Sequence, residues 1–384
     1  NATSLPDGTI TVSASFTGGA TSATVSGTPA TKDTVAPTLN SSLATSTVVF
    51  RLATASDSGT YDDGVTNVTS PSFTVSNVTD GTGTGIDTVY VQVKLTSSST
   101  YAISGLGVTS ATGGIYTVTT ATLAEGTYDV QARVVDKAGN SATFPLSKLN
   151  GAPSTLRIDT TAPTATVKFT DYADGGVVPN VDSSYVTALP AAVNGTKTVA
   201  VQVTFTEAGL SGSPTFTFRT ANGVATSVVA AESGPGTRIW RESFDVGPTT
   251  SDGNVTLSMA GVTDAAGNAA VFASGQTTTF AVDNTGPLFS VGYSRASPMG
   301  GGSDLIITVT SNEALQSNPT VVLTKGSATS TFVVTPVLGS TKTWDSTYSI
   351  PSSGGDGTVT VTVTGTDVAG NDGNQVVAGG SFTI

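Results

Sequence analysis

The side chains of this 384-residue chain that could do chemistry are carboxylates. There are 27 Asp and Glu against 15 Lys and Arg, a net charge of −12, and neither Cys nor His. Without Cys there is no disulfide framework, thiolate nucleophile or Cys-ligated metal. Without His there is no Ser-His-Asp triad, no His-ligated zinc site and no imidazole proton shuttle. What survives is oxygen chemistry: hard cations such as calcium, or a carboxylate pair acting on a sugar.

The acidic residues recur with fixed spacing. Lys32-Asp33-Thr34-Val35-Ala36-Pro37, Ile158-Asp159-Thr160-Thr161-Ala162-Pro163 and Val282-Asp283-Asn284-Thr285-Gly286-Pro287 are three copies of one motif, with the Asp residues 126 and 124 positions apart. A second motif, D-x-A-G-N, occurs as Asp136 to Asn140, Asp264 to Asn268 and Asp367 to Asn371, each after an alternating strand pattern. A third, VQVTFTE ending at Glu207, returns as IITVTSNE ending at Glu313, and a fourth surrounds Trp240 and Trp344. Order and spacing agree together, which points to duplicated domains. The units read as 38–163, 164–287 and 288–384. Residues 1–37 read as an incomplete unit that keeps its penultimate strand, LPDGTITVSASF, and its closing Asp33 motif. Both ends are expected to be cut from a longer array.

The elements that must position these residues are short strands of period 2 separated by Gly, Asn, Asp and Pro turns. In the 164–287 unit, strands are predicted near 164–169, 197–206, 214–219, 225–231, 237–246, 254–262 and 277–282. Seven short strands in one unit imply an immunoglobulin-like sandwich, so the fold class is all-β, tandem Ig-like β-sandwich domains in an elongated array. Such a sandwich alternates between two poles. The linker Asp, the end of the second strand and the last connection all return to one pole. Topology therefore groups Asp159, Glu207, Asp264 and Asn268. It likewise groups Asp283, Glu313, Asp367 and Asn371, and it groups Asp33, Asp136 and Asn140. The acidic loop of Asp57, Asp62, Asp63 and Asn67 is expected near the last of these. Gathered carboxylates repel one another, and calcium with its 6–8 oxygen ligands would relieve that repulsion and tie linker to domain. The alternative is that the Asp and Asn of D-x-A-G-N only satisfy backbone donors in a turn, with Gly at positive φ.

Weaker signals are read structurally. Gly81-Thr82-Gly83-Thr84-Gly85 lacks the helix and Lys of a phosphate loop and reads as a turn. Asp171 to Gly176 reads as a polar excursion rather than a cation loop. The N-x-S/T sequons at Asn1, Asn40, Asn67, Asn77, Asn194 and Asn254 are about what chance gives. Trp240 and Trp344 are expected in the core. The acidic balance argues against nucleic acid, there is no basic cluster for an anionic membrane, and no apolar run approaches the ~20 residues of a membrane span.

The 38–163 unit resembles bacterial Ig-like repeat domains of large surface adhesins and biofilm-associated proteins. The residues that carry the resemblance are Ser56-Asp57-Ser58-Gly59, Asn67-Val68-Thr69-Ser70-Pro71-Ser72-Phe73, Gly126-Thr127-Tyr128, Asp136 to Asn140 and Asp159 to Pro163. The later units keep the closing motifs and the Glu-ended strand, similar to Ig-like modules of surface-layer and other envelope proteins. They depart from the pattern at Gly286, where Ala is usual, and at Asn312, where the earlier copy has Thr206. The resemblance implies an extracellular, cell-surface location, calcium-stiffened junctions and a non-catalytic stalk, lattice or adhesive role. Its partners would be neighbouring repeats or other copies of the chain, and cell-surface glycans or host receptors. A glycan-binding module is the alternative function. It would need exposed aromatics on one face, for which Tyr61, Tyr172 and Tyr185 are the loop candidates.

Overall fold

The structure is a computed structural model that describes residues 2–19, 21–39, 50–147, 155–179, 182–234, 236–353 and 355–384. The sequons at Asn1 and Asn40 lie outside the described residues. The chain divides into two compact units. The first is Asn1–Pro163 with Gly209–Gly212 and Val262–Ala270; the second is Thr164–Ala208, Ser213–Gly261 and Val271–Ile384. Among the described residues the only helices are 3-10 turns of three residues, and none is long and apolar enough to cross a membrane.

In the first unit, Phe50–Leu52, Ser72–Ser76 and Ile115–Thr119 form one sheet. The second runs Ala102–Val108, Ile86–Leu95, Gly126–Asp136, Thr155–Ile158, Val65–Thr66, with Ser141–Pro145 also on Gly126–Asp136. Both sheets bury one face of an alternating pattern. Phe50, Phe73, Val91, Val130 and Leu156 meet between them, as an Ig-like sandwich requires.

The second unit contains one two-sheet arrangement twice, with its short parallel strand on the first strand rather than the last. Ala231–Glu232, Ile239–Val246, Lys197–Phe205, Thr164–Ala173 and Val271–Phe272 make one sheet, and Ala225–Val229, Thr215–Arg219, Gly253–Ala260 and Thr279–Val282 the other. The later copy substitutes Thr335–Pro336, Thr343–Ser349, Asp304–Ser311, Leu288–Tyr293 and Gln375–Ala378. Its other sheet is Ala328–Val333, Thr320–Lys325, Thr358–Thr366 and Asp372–Gly373, with Ser381–Thr383 also on Thr358–Thr366. All seven strands predicted for 164–287 are present. Val271–Phe272 was not foreseen: two residues are too few to show a period, and they pair in parallel with Thr164 and Ala165.

The composition follows from this packing. In Thr358–Thr366, Val359, Val361 and Val363 face the core while the intervening Thr face water. A β-branched residue suits both faces of a strand, and each buried Val contributes about 1.5–3 kcal/mol relative to exposure. Trp240 and Trp344 are both buried. Trp240 packs edge-on to Phe205 at 4.9 Å, and Trp344 Nε1 donates to Asn318 Oδ1 at 3.1 Å.

One ladder recurs at four places along the chain. Gly8 pairs with Lys32, Gly126 with Ile158, and Gly253 with Val282. Gly357 exchanges backbone hydrogen bonds with Ile384. These four glycines have φ of 135°, 153°, 116° and 154°, which a side chain rarely adopts. In the first three, the paired residue immediately precedes Asp33, Asp159 or Asp283. The ladder thus delivers each linker Asp to a fixed place at the end of the last strand. In residues 8–32 the flanking apolar side chains stay open, with Val12 and Phe16 71% and 64% exposed.

Candidate metal centres

The D-x-A-G-N segments fold alike because their Asp side chain organises the turn. Asp136 Oδ1 accepts the N–H groups of Ala138 and Asn140 at 2.9 and 2.8 Å. Asp264 Oδ1 accepts that of Asn268 at 2.8 Å. Asp367 Oδ1 accepts those of Gly370 and Asn371 at 2.7 and 2.9 Å. The Gly takes φ of 94°, 86° and 97° in turn. The Asn side chain then fastens the linker: Nδ2 of Asn140, Asn268 and Asn371 donates to the carbonyls of Asp33, Asp159 and Asp283 at 3.2, 2.9 and 2.8 Å. Each linker Asp turns its Oδ1 back to the amide two residues on, at Val35, Thr161 and Thr285. The turn role that is the alternative to metal binding is therefore present, and it engages the second oxygen as well: Oδ2 of Asp136, Asp264 and Asp367 accepts Nδ2 of Asn140, Asn268 and Asn371 at 2.9, 2.8 and 2.9 Å.

Among the described residues, two groups of three carboxylates have oxygens within 4.8 Å of one another: Asp33, Asp80 and Asp136, and Asp283, Glu313 and Asp367. That spacing is about twice a Ca–O distance of 2.3–2.6 Å, so one ion could touch all three. Both groups hold a buried oxygen with no hydrogen-bond partner, Asp80 Oδ1 and Glu313 Oε1. A buried anionic oxygen left unpaired is costly. The donor set is all oxygen, which suits calcium or magnesium. Residues and group fit.

The electrostatics differ between the two. Burial raises the Asp283 carboxyl above its ordinary range, and the charges of Asp367 and Asp252 add to the effect. Burial raises Glu313, followed by the charges of Asp283 and Asp367. Asp33 is lowered instead, first by the Thr84 amide and then by that of Val35. The Thr84 amide lies 2.8 Å from Asp33 Oδ2. An open cleft of about 310 Å³ lined by Lys32, Asp33, Asp80 and Gly83 gives this group access to solvent.

The third member of the first group, Asp80, was not foreseen. It follows Val78–Thr79, which pairs with Thr38–Leu39 just after the Asp33 linker, as Glu313 follows Asp304–Ser311, which pairs with Leu288–Tyr293 just after the Asp283 linker. The Gly-rich stretch after it is a turn, as expected, but one that folds around acids: Gly85 N donates to Asp80 Oδ2 at 2.7 Å. The acidic loop of Asp57, Asp62 and Asp63 is placed elsewhere than expected. Val65–Thr66 pairs in parallel with Arg157–Ile158, which carries the loop to the Asp159 end. There Asp57 Oδ2 accepts the Asp62 amide and Asp63 Oδ1 that of Val65. Asn67 Nδ2 donates to Asn268 Oδ1 at 3.2 Å. Asp159 and Asp264 fall in the first compact unit and Glu207 in the second.

The aromatic platform of a glycan site fares less well. Tyr172 lies in strand Thr164–Ala173 rather than a loop. Tyr185 is buried and donates to the Pro179 carbonyl at 2.8 Å. Tyr61 is 54% exposed. Asp171 is also in that strand and pairs with Lys197 at 3.2 Å.

Comparison with known proteins gives the following. Residues 43–160 match the family described as bacterial Ig-like domain. Among solved structures, the chain is similar to a tetra-tandem repeat in the extending region of a large adhesion protein, with 21% identity, 87% of this chain and 74% of that one covered, and a TM-score of 0.28. It is also similar to a structure concerned with host cell surface retention of a 1.5-MDa bacterial ice-binding adhesin, at 17% identity, 88% and 98% coverage and a TM-score of 0.35. The FN1–FN3 domains of chicken CNTN1 follow at 11% identity, 85% and 97% coverage and a TM-score of 0.24. No curated protein sequence matches the chain.

Proposed function

We propose that this chain, whose residues 43–160 match the bacterial Ig-like domain, is a non-catalytic extracellular structural protein. Its units are 38–163, 164–287 and 288–384, preceded by the partial unit 1–37, and calcium stiffens their linkers. It acts as an adhesin stalk or a surface-layer or filament component, with neighbouring repeats or other copies of the chain as partners. One observation carries the reading. Two triads of carboxylates with buried, unpartnered oxygens stand at equivalent places, each made of a linker Asp, a strand-end acid and the Asp of D-x-A-G-N. Asp33, Asp80 and Asp136 would hold one ion, and Asp283, Glu313 and Asp367 the other. Bound there, calcium supplies charge neutralisation and a cross-link between linker and sandwich. A role repeated from copy to copy favours scaffolding over a unique catalytic cleft.

Titration calorimetry of the chelator-stripped chain tests this. The expected result is two calcium ions per chain. Small-angle scattering should then show a narrower distribution of dimensions with calcium than with chelator. No heat of binding and identical scattering in both conditions would sink the reading.

A further inference from the structure

The linker at Asp159 differs from the other two in what faces its second carboxylate oxygen. Asp33 and Asp283 each stand within a carboxylate triad. Asp159 Oδ2 lies 2.7 Å from Arg157 Nη2. Arg157 sits two residues earlier on the strand Thr155–Ile158, and strand period brings positions two apart to the same face. The corresponding positions before Asp33 and Asp283 are Thr31 and Ala281, neither of which carries charge. Asp159 is only 8% exposed. A carboxylate that buried needs a counter-charge, and here the chain supplies it covalently.

The rest of this linker is also held by protein groups. Glu125 Oε2 accepts the hydroxyls of Thr160 and Thr161 at 3.1 and 2.8 Å, and those bonds hold the Glu125 carboxyl below its ordinary range. Segment Val262–Ala270, within the same compact unit, is clamped to the loop after Ser56. Thr60 N donates to the Ala265 carbonyl at 3.0 Å and Ser58 Oγ to that of Ala266 at 2.6 Å. Gly59, at φ 68°, lies so close that a Cβ there would collide with the Ala265 carbonyl.

We infer that the Asp159–Pro163 linker is braced by the Arg157 guanidinium and the Ser58–Asn67 loop in place of a metal ion. This rests on the proposal that calcium braces the other two. The chain would then have one linker whose order is independent of calcium and two that follow its concentration. Arg157 acts as a positioning residue: it neutralises Asp159, which orients the linker through the Thr161 amide.

The test is limited proteolysis of the full chain with a broad-specificity protease, in calcium and in chelator, with cleavage sites read by mass spectrometry. In chelator, cutting within 33–37 and 283–287 should rise about tenfold, while 159–163 stays protected. Arg157→Gln should open 159–163 about two- to fivefold in either condition, since the Arg157 end of the pair is exposed. Arg157→Lys, which keeps the charge, should restore protection and shows that the first variant acts through charge rather than misfolding. If 159–163 opens in chelator together with the other two, the inference is overturned and the calcium reading stands. If no linker responds to chelator but Arg157→Gln still opens 159–163, the calcium reading falls and the arginine brace stands. Protection unchanged in Arg157→Gln overturns the brace.

Discussion

Asp80 and Glu313 each keep a buried carboxylate oxygen that no protein donor reaches. An ionised oxygen in that position must lower its charge or gain a cation, because desolvation without compensation costs more than a folded chain can spare. In the Glu313 group burial raises the carboxyl, and the charges of Asp283 and Asp367 push it up further than that of Lys342 draws it down. The two residues should therefore matter more for metal affinity than for folding. Asp80→Asn and Glu313→Gln should each remove one calcium site and leave the other, with the count of bound ions falling from two to one by calorimetry. Each removes a ligand charge while keeping an oxygen, so circular dichroism of the stripped protein should not change. Saturating calcium stabilises by about 2.7 kcal/mol at a hundredfold excess over Kd. For a sandwich of roughly 100 residues, that is a Tm rise of about 10–20 °C, which each variant should lose for the sandwich concerned. A variant that still binds two ions counts against the assignment. At Gly59 the constraint is steric instead. Gly59→Ala should cost about 1–3 kcal/mol, since the residue must hold positive φ and leave room for the Ala265 carbonyl, and chemical denaturation would read it.

At the scale of the element, alternation decides what a substitution does. Val361→Thr is nearly isosteric but places a hydroxyl in the core of the last sandwich, which should cost about 1–3 kcal/mol. Thr362→Val, one residue on and facing water, should stay within about 0.5 kcal/mol. Equal effects in denaturant melts would contradict the assigned faces. The same alternation made the strands readable from sequence: TVTVTVTGT and GNVTLSMA announce period 2 without help from tertiary contacts. The linker Asp and the D-x-A-G-N loops were equally legible, because their motifs recur in the same order along the chain. Asp80 was not legible. Its strand, SFTVSNVTD, is broken at Asn77 by a residue at φ 59°, so the alternation that leads to Glu207 and Glu313 fails just before it. The signal that could have found it is positional, an acid closing the second strand. The site of the Asp57 loop was hidden for another reason: it depends on a two-residue parallel pairing with Arg157–Ile158, and no local pattern encodes so short a ladder.

For the whole molecule, an excess of acids concentrated at repeated places should make stability depend on pH in opposite senses along the chain. In the chelator-treated protein, Asp283 and Glu313 have carboxyls raised in the folded state, so the folded state holds their protons more tightly than the unfolded state does. Their stabilising contribution is then full below the ordinary carboxylate values of 3.8 and 4.5, and is lost as pH rises through the raised values. Asp33 and Asp7 are lowered, Asp7 chiefly by its hydrogen bonds from Thr34. Their contribution is present above the ordinary value of 3.8 and disappears as pH falls through the lowered ones. Acid should thus favour the linker at Asp283 while it loosens the one at Asp33. Calcium reverses the first trend, because protons then compete with the ion for the same oxygens. Hydrogen exchange of the two linkers, corrected for intrinsic rates and followed in chelator as pH is lowered from neutral toward the ordinary carboxylate values of 3.8 and 4.5, should show protection near Asp283 rising with acid. With calcium added, protection there should fall over the same interval. Exchange that moves in the same direction in both conditions would mean that no cation is held by those carboxylates.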